Sequence, residues 1–363
     1  MSLDVAFAHD SDTEPHGLNA SPELRLLIVT DAWKPQVNGV SRTYQWLSER
    51  LHGKITLELL TPEGFTTVPM PTYPDIRLAL ASPASIARRF EAFAPDVAHV
   101  ATEGPLGHLA RRYCLRHALP FTTCYHTRFP EYIARRFPVP LSWTYPFMRR
   151  FHNAAHATMV ATPELGEELR GRGFTKVKHW RRGVDTPMFA KGPIEHLDLP
   201  RPLFLYVGRL AVEKNLPGFL GLDLPGSKLV VGDGPMREKL QRAFPAAHFF
   251  GAVDGPRLGA IYRAADAFVF PSLTDTFGLV MAEALSAGTP VAAFPTAGAR
   301  AILGDAQCGA LDTDLRAAAL KALDMPRNAC RTAGLRHSLD ASVDSFIEIV
   351  REAAAADNAR QAA

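Results

Sequence analysis

Residues 268–294 read FVFPSLTDTFGLVMAEALSAGTPVAAF, two apolar runs that enclose a polar turn and a segment of helical period. Phe268 to Phe270 suits the end of a buried strand, and Pro271 to Thr276 suits a turn. From Phe277 to Ala287 the period is helical, with Leu279, Ala282 or Glu283, and Ser286 on successive turns; Gly288 ends the run and Val291 to Phe294 starts a new strand. A helix start leaves backbone N–H groups without intrahelical partners, so the amides around Phe277, Gly278 and Leu279 make a place for an anion. Gly278 also lets a ligand approach the backbone. Asp275 precedes that start and Glu283 lies about two turns inside it, so the carboxylates cannot meet on one atom but can grip opposite ends of an extended ligand. A nucleotide-sugar has that shape. An ordinary strand–helix–strand unit, with Asp275 as a cap and Glu283 in a salt bridge, fits the same residues.

At 363 residues the chain is too long for one typical core and suits two α/β lobes. Strand-like runs at Leu24 to Thr30, Ile55 to Leu60, Val97 to Val100 and Phe121 to Tyr125 alternate with helical segments at Val40 to Leu51, Ser85 to Phe93 and Leu106 to His117. That alternation predicts a doubly wound lobe with a parallel sheet. A second series of strands is expected at Leu203 to Val207, Lys228 to Val231, His248 to Phe250, Ala267 to Phe270 and Val291 to Phe294. The Pro- and Gly-rich residues 184–200 lack a period and read as a linker. The expected division is a first lobe over 23–183, a second over 201–340, and an active site in the cleft between them. A C-terminal helix is expected over 341–355.

Composition excludes several classes. A formal net charge of +3 gives no bulk argument for nucleic acid. Cys114, Cys124, Cys308 and Cys330 are scattered without CxxC spacing, which argues against a zinc site or a disulfide framework and for a reducing cytosol. His152 and His156 sit four apart, but no third ligand accompanies them, and no acids cluster at Mg or Mn spacing, so no metal or cofactor is expected. Residues 1–22 are acidic and rich in small residues, which predicts a disordered tail rather than a signal peptide. No apolar run reaches the roughly 20 residues that span a bilayer, so any membrane contact is expected to be peripheral.

Four further loops point into the expected cleft. Asn38-Gly39, after the first strand, reads as a tight turn whose amides face a phosphate. His126 stands where an apolar strand ends, the place where open α/β sheets bind ligands. In Val207-Gly208-Arg209 and Lys214, a glycine allows close passage while Arg209 offers a planar fork and Lys214 a mobile charge to a diphosphate. Gly232-Asp233-Gly234 lacks the third glycine of a dinucleotide fingerprint, since position 237 is Arg.

Together these motifs resemble the family 4 glycosyltransferases of the GT-B type, above all over 207–215 and 268–290. The wording Thr274-Asp275-Thr276-Phe277-Gly278 is similar to a subset that makes glycolipids, including diacylglycerol glycosyltransferases, sulfoquinovosyl lipid synthases and mannosyltransferases. The resemblance implies two Rossmann-like domains facing across a cleft, and transfer with retention of configuration. It implies a UDP- or GDP-linked donor held by Gly39, Arg209, Lys214, Gly232, Thr276, Phe277, Gly278, Leu279 and Glu283. Asp275, in place of the commoner Glu, would meet the sugar hydroxyls, and His126 would lie near the transferred sugar. A GT-B nucleotide-sugar epimerase relative or a non-catalytic protein is the other class that shares this scaffold. The cations and helix amides can stabilise the leaving phosphate without a metal.

The acceptor signal lies in 128–152. Arg135, Arg136, Arg149 and Arg150 are interleaved with aromatics, of which Trp143, Phe147 and Phe151 share a helical stripe. Basic residues among aromatics are the composition of an interfacial contact, which points to an anionic membrane surface and a lipid acceptor such as diacylglycerol. The expected location is the cytoplasmic face of a membrane. Packing of the stripe into the first lobe's core is the alternative, and with it a soluble or oligosaccharide acceptor.

Overall fold

The computed structural model describes residues 23–36, 38–70, 73–131 and 139–361; the expected tail at 1–22 and the segment 132–138, with Arg135 and Arg136, lie outside them. The first half contains β1 (Arg25–Val29), β2 (Thr56–Leu60), β3 (Thr67–Met70), β4 (Tyr73–Ala79), β5 (Val97–Val100), β6 (Phe121–Cys124), β7 (Ala157–Val160) and β8 (Val177–His179). Six of them form a parallel sheet in the order β2-β1-β5-β6-β7-β8, and β3 with β4 makes a separate antiparallel hairpin. The second half contains β9 (Leu203–Val207), β10 (Ser227–Val231), β11 (His248–Gly251), β12 (Ala267–Phe270), β13 (Val291–Ala293) and β14 (Gly309–Leu311), a parallel sheet in the order β11-β10-β9-β12-β13-β14. This is a two-domain α/β architecture.

Both sheets are covered on both faces, which is why their strands are apolar throughout rather than alternating. In β1, Leu26 and Ile28 enter one core while Leu27 and Val29 enter the other. In β9, Leu203, Leu205 and Val207 face one core, and Phe204 and Tyr206 the opposite one. Each such fully buried Leu or Phe contributes roughly 1.5–3 kcal/mol.

The C-terminal helix is longer than the sequence reading, Leu339–Gln361. Its Val343, Phe346 and Val350 join Leu26, Ile28, Val97 and Trp180 of the first half, and the Trp180 indole donates to the Ser342 carbonyl at 2.9 Å. Residues 184–200 are tethered by Arg263, whose guanidinium donates to the carbonyls of Phe189 and Pro193.

Candidate active site

The turn after β12 behaves as its sequence suggests, with a small shift. The helix runs over Leu279–Ser286, starting two residues later than the periodicity implied, because Gly278 takes a left-handed φ of 90° as the cap. A Cβ there would meet Met281 Cε at 2.6 Å and Phe270 Cζ at 3.1 Å, so only glycine fits. Thr276 and Phe277 therefore precede the helix. The Phe277 side chain is buried against His337.

Charges meet at this turn. Lys214 Nζ donates to Asp275 Oδ1 at 2.5 Å, and both side chains are mostly shielded. Asp275 Oδ2 is shut from solvent with no hydrogen-bond partner among the described residues. The short 3₁₀ turn Val212–Lys214 places the lysine, and Asn215, left-handed at φ 53°, turns the chain and donates to the Pro271 carbonyl at 3.2 Å. Glu283, deep in the helix, accepts from the Tyr262 hydroxyl at 2.8 Å. Burial raises its pKa, opposed by the charge of Arg42 and by the Tyr262 bond. Gly232 has a structural reason: a Cβ there would lie 1.9 Å from the Gly208 carbonyl oxygen, so the loops after β9 and β10 touch backbone to backbone.

On the opposite side, Asn38-Gly39 is not a free turn. Asn38 caps the helix Gly39–Leu51, its Oδ1 accepting from the amides of Val40 and Ser41 at 3.0 Å each. Those two N–H groups are spent on the cap, so the expectation of a turn with several open amides is corrected by ordinary capping. Gly39 still faces the second half: a Cβ at that position would sit 3.8 Å from Leu279 Cδ1.

Two further contacts bring the halves together. The Thr276 hydroxyl donates to the His126 carbonyl at 2.7 Å, and Arg42 Nη1 lies 3.9 Å from Glu283 Oε1. His126, at the end of β6, is thus beside the Asp275-Thr276 turn despite 150 residues of separation. Its Nε2 is 2.7 Å from the Tyr44 hydroxyl, and its Nδ1 accepts from Arg182 Nη2 at 3.0 Å. Burial first, then Arg182, hold its imidazole well below the usual pKa. Tyr44, Arg42, Arg182 and Tyr262 escaped the sequence reading. Arg42, three residues after Gly39 and on the same helix, carried a usable signal; the others carried none.

The aromatic stripe divides. In the helix Leu141–His152, Trp143 is 75% exposed and Phe147 53%, whereas Phe151 is 2% exposed and packs in the core. Eight residues of α-helix turn about 80° past two full circles, which carries Phe151 off the outward face. Arg149 and Arg150 are exposed on the same helix, and Arg149 Nη1 donates to the Arg172 carbonyl at 3.2 Å.

Residues 37–187 match the family model described as Glycosyltransferase Family 4, and residues 201–325 the one described as Glycosyl transferases group 1. A GDP-mannose-dependent alpha-mannosyltransferase of Mycobacterium tuberculosis is 31% identical over 316 residues, covering 79% of this chain and 83% of that protein. The chain belongs to the family 4 glycosyltransferases. A sulfoquinovosyl transferase of Arabidopsis thaliana is 30% identical to this glycosyltransferase over 74% of the chain, which spans only 55% of that plant protein. Among solved structures, Anabaena HepE in complex with UDP and glucose shares the fold at a TM-score of 0.67, covering 91% of this chain and 100% of HepE at 14% identity. The architecture of the transferase is therefore GT-B, two parallel-sheet domains, as the sequence reading expected.

Proposed function

We propose that this glycosyltransferase moves a hexose or uronic acid from a UDP- or GDP-linked donor to a membrane lipid such as diacylglycerol, with retention of configuration and without a metal. In this reading residues 23–183 form the acceptor-side domain and 201–340 the donor-side domain, joined by 184–200. The observation that carries it is the juxtaposition of His126 with the Lys214–Asp275 pair through Thr276. Asp275 Oδ2, buried and unpartnered, is an acceptor for a sugar hydroxyl. Glu283 is set to receive the ribose hydroxyls, and Arg209, Lys214 and the amides at the helix start to receive the diphosphate.

The chemistry is a same-face displacement. The bond between the anomeric carbon and the phosphate oxygen breaks as the bond to the acceptor oxygen forms, and the acceptor proton passes to the departing phosphate. Cations aimed at that phosphate stabilise the charge it gains. Among the described residues no group of three His, Cys, Asp or Glu side chains could hold a metal ion. Leaving-group stabilisation here is assigned to Arg209, Lys214 and the helix amides, so dialysis against EDTA is expected to leave turnover nearly unchanged; loss restored by Mg would refute that assignment.

Support for a lipid acceptor comes from one helix that exposes Trp143 and Phe147 together with Arg149 and Arg150. Among the described residues no helix is long and apolar enough to cross a membrane. A second reading, a GDP-mannose-dependent mannosyltransferase acting on a soluble or oligosaccharide acceptor, is favoured by the extent of the mycobacterial likeness. The deciding experiment offers UDP- and GDP-sugars with extracted membrane lipid or with soluble glycans and reads products by mass spectrometry. A glycolipid product supports the first reading; product only on soluble glycans replaces it with the second.

A further inference from the structure

We propose that Arg182 is a positioning residue for sugar transfer, fixing His126 as a neutral imidazole with its proton on Nε2. The proposal rests on the placement of His126 beside the transferred sugar.

Arg182 follows β8 by three residues and is 6% exposed. Its Nη2 lies 3.0 Å from both His126 Nδ1 and Cys124 Sγ, and its guanidinium carbon stands 3.7 Å over the Trp180 ring. Nη1 is buried without a hydrogen-bond partner, and among the described residues no carboxylate pairs with this cation. A buried guanidinium without an acid costs folding stability, so the needs of the fold do not explain it.

The hydrogen bonds around it run one way. A guanidinium only donates, so His126 Nδ1 must be the acceptor and cannot carry a proton. The remaining proton sits on Nε2 and is donated to the Tyr44 oxygen at 2.7 Å. Tyr44 then gives its own proton to His99 Nε2 at 2.7 Å, and His99 Nδ1–H donates to Thr122 Oγ1 at 2.8 Å. Protonating His126 would aim an N–H at another N–H and set two cations 3.0 Å apart.

No acid relieves that conflict. The titratable groups facing His126 are Arg182 after β8, Tyr44 on the helix Gly39–Leu51, His99 on β5, Cys124 on β6 and His152 on the helix Leu141–His152. Glu103 is engaged by His152 Nε2 at 3.1 Å, and the second domain contributes the Thr276 hydroxyl to the His126 carbonyl. With both ring nitrogens committed, His126 is no general base, and deprotonation of the acceptor falls to the leaving phosphate.

The test uses the full chain with Arg182→Met, which removes charge and donor, and Arg182→Lys, which keeps both. Ring ¹⁵N shifts of His126 should report the neutral Nε2–H form from about pH 5 to 8 in the parent and in Arg182→Lys. In Arg182→Met the ring should titrate inside that window. Freed to titrate near its ordinary pKa, only about one ring in ten stays neutral one pH unit below it, so kcat should fall roughly tenfold there with little change in donor KM. The melting temperature of Arg182→Met should match or exceed that of the parent. A parent His126 that titrates between pH 5 and 8, or that carries its proton on Nδ1, would overturn the proposal. So would an Arg182→Met enzyme with the parental pH profile. If instead His126→Ala transfers sugar normally, the placement of His126 fails, while the nitrogen shifts still judge Arg182 independently.

Discussion

The donor-side turn at 271–283 and the opposing network around His126 handle charge in opposite ways. On the donor side, a cation stands next to an acid: Lys214 on Asp275, and Arg42 reaching toward Glu283 from across the cleft. Around His126, among the described residues, the only cation in hydrogen-bond contact is an arginine with no acid partner, and the ring's remaining contact leads into neutral hydroxyl–imidazole bonds. In the proposed reading a nucleoside diphosphate brings its own negative charge, so the side assigned to it would gain from pre-placed cations whose repulsion is held in check by acids until the donor binds. The transferred sugar needs fixed geometry at its anomeric carbon instead. Opposing a histidine to a guanidinium supplies that by removing every protonation state but one.

The largest effects should break the donor side. Arg209→Ala and Lys214→Ala are each expected to lose about 2–4 kcal/mol of transition-state stabilisation, roughly 30- to 10³-fold in kcat/KM, measured by steady-state kinetics. His126→Ala should abolish transfer while leaving nucleoside diphosphate affinity near the parental value by calorimetry. Equal loss of nucleotide affinity in all three variants would erase the distinction between the two sides.

Acidification should expose the neutral network next. Burial and then the charge of Arg182 lower the His99 pKa to about 3, so between that value and the ordinary one near 6.5 the unfolded chain binds a proton that the folded chain refuses. Stability is then lost as pH falls below about 6.5, at about 1.4 kcal/mol per pH unit, or about 2 kcal/mol between pH 7 and pH 5 for this residue. Urea unfolding of the parent and of His99→Gln should show the steeper acid loss in the parent. Parallel curves would mean that His99 is not held neutral.

Glu283→Gln tests a smaller effect. Losing the charged acceptor should weaken donor binding by about 1.5 kcal/mol, close to tenfold, with kcat changed less. The mildest change concerns the outer face, where each of Arg149→Gln and Arg150→Gln is expected to cost about 1 kcal/mol of binding to anionic liposomes at low salt. Sedimentation of the double variant at parental levels would return that helix to ordinary surface structure and weaken the case for a lipid acceptor.

Much of the turn at 271–283 is contiguous in the chain, and for that reason its backbone could be read. Asp275, Gly278 and Glu283 fall within nine positions, and strand, turn and helix follow from local apolar period, a capping glycine and buried β-strand composition. The same local rules located β5, β9 and β12 to the residue. They missed β7, β8 and β14, runs of three or four residues whose strand character comes from pairing with a neighbour, and the whole β3–β4 hairpin. They also took Asn38-Gly39 for a tight turn where Asn38 caps a helix, since the two differ in which amides donate to the Asn side chain. Tertiary structure alone decided the network on His126: Tyr44, His99, His126 and Arg182 come from four elements spread over 138 positions and meet only because the strand order places β5 and β6 side by side. Local sequence fixes what a backbone segment does with its own neighbours. Which proton a histidine carries depends on donors and acceptors that the chain supplies from far away, and these are paired only when the sheet closes.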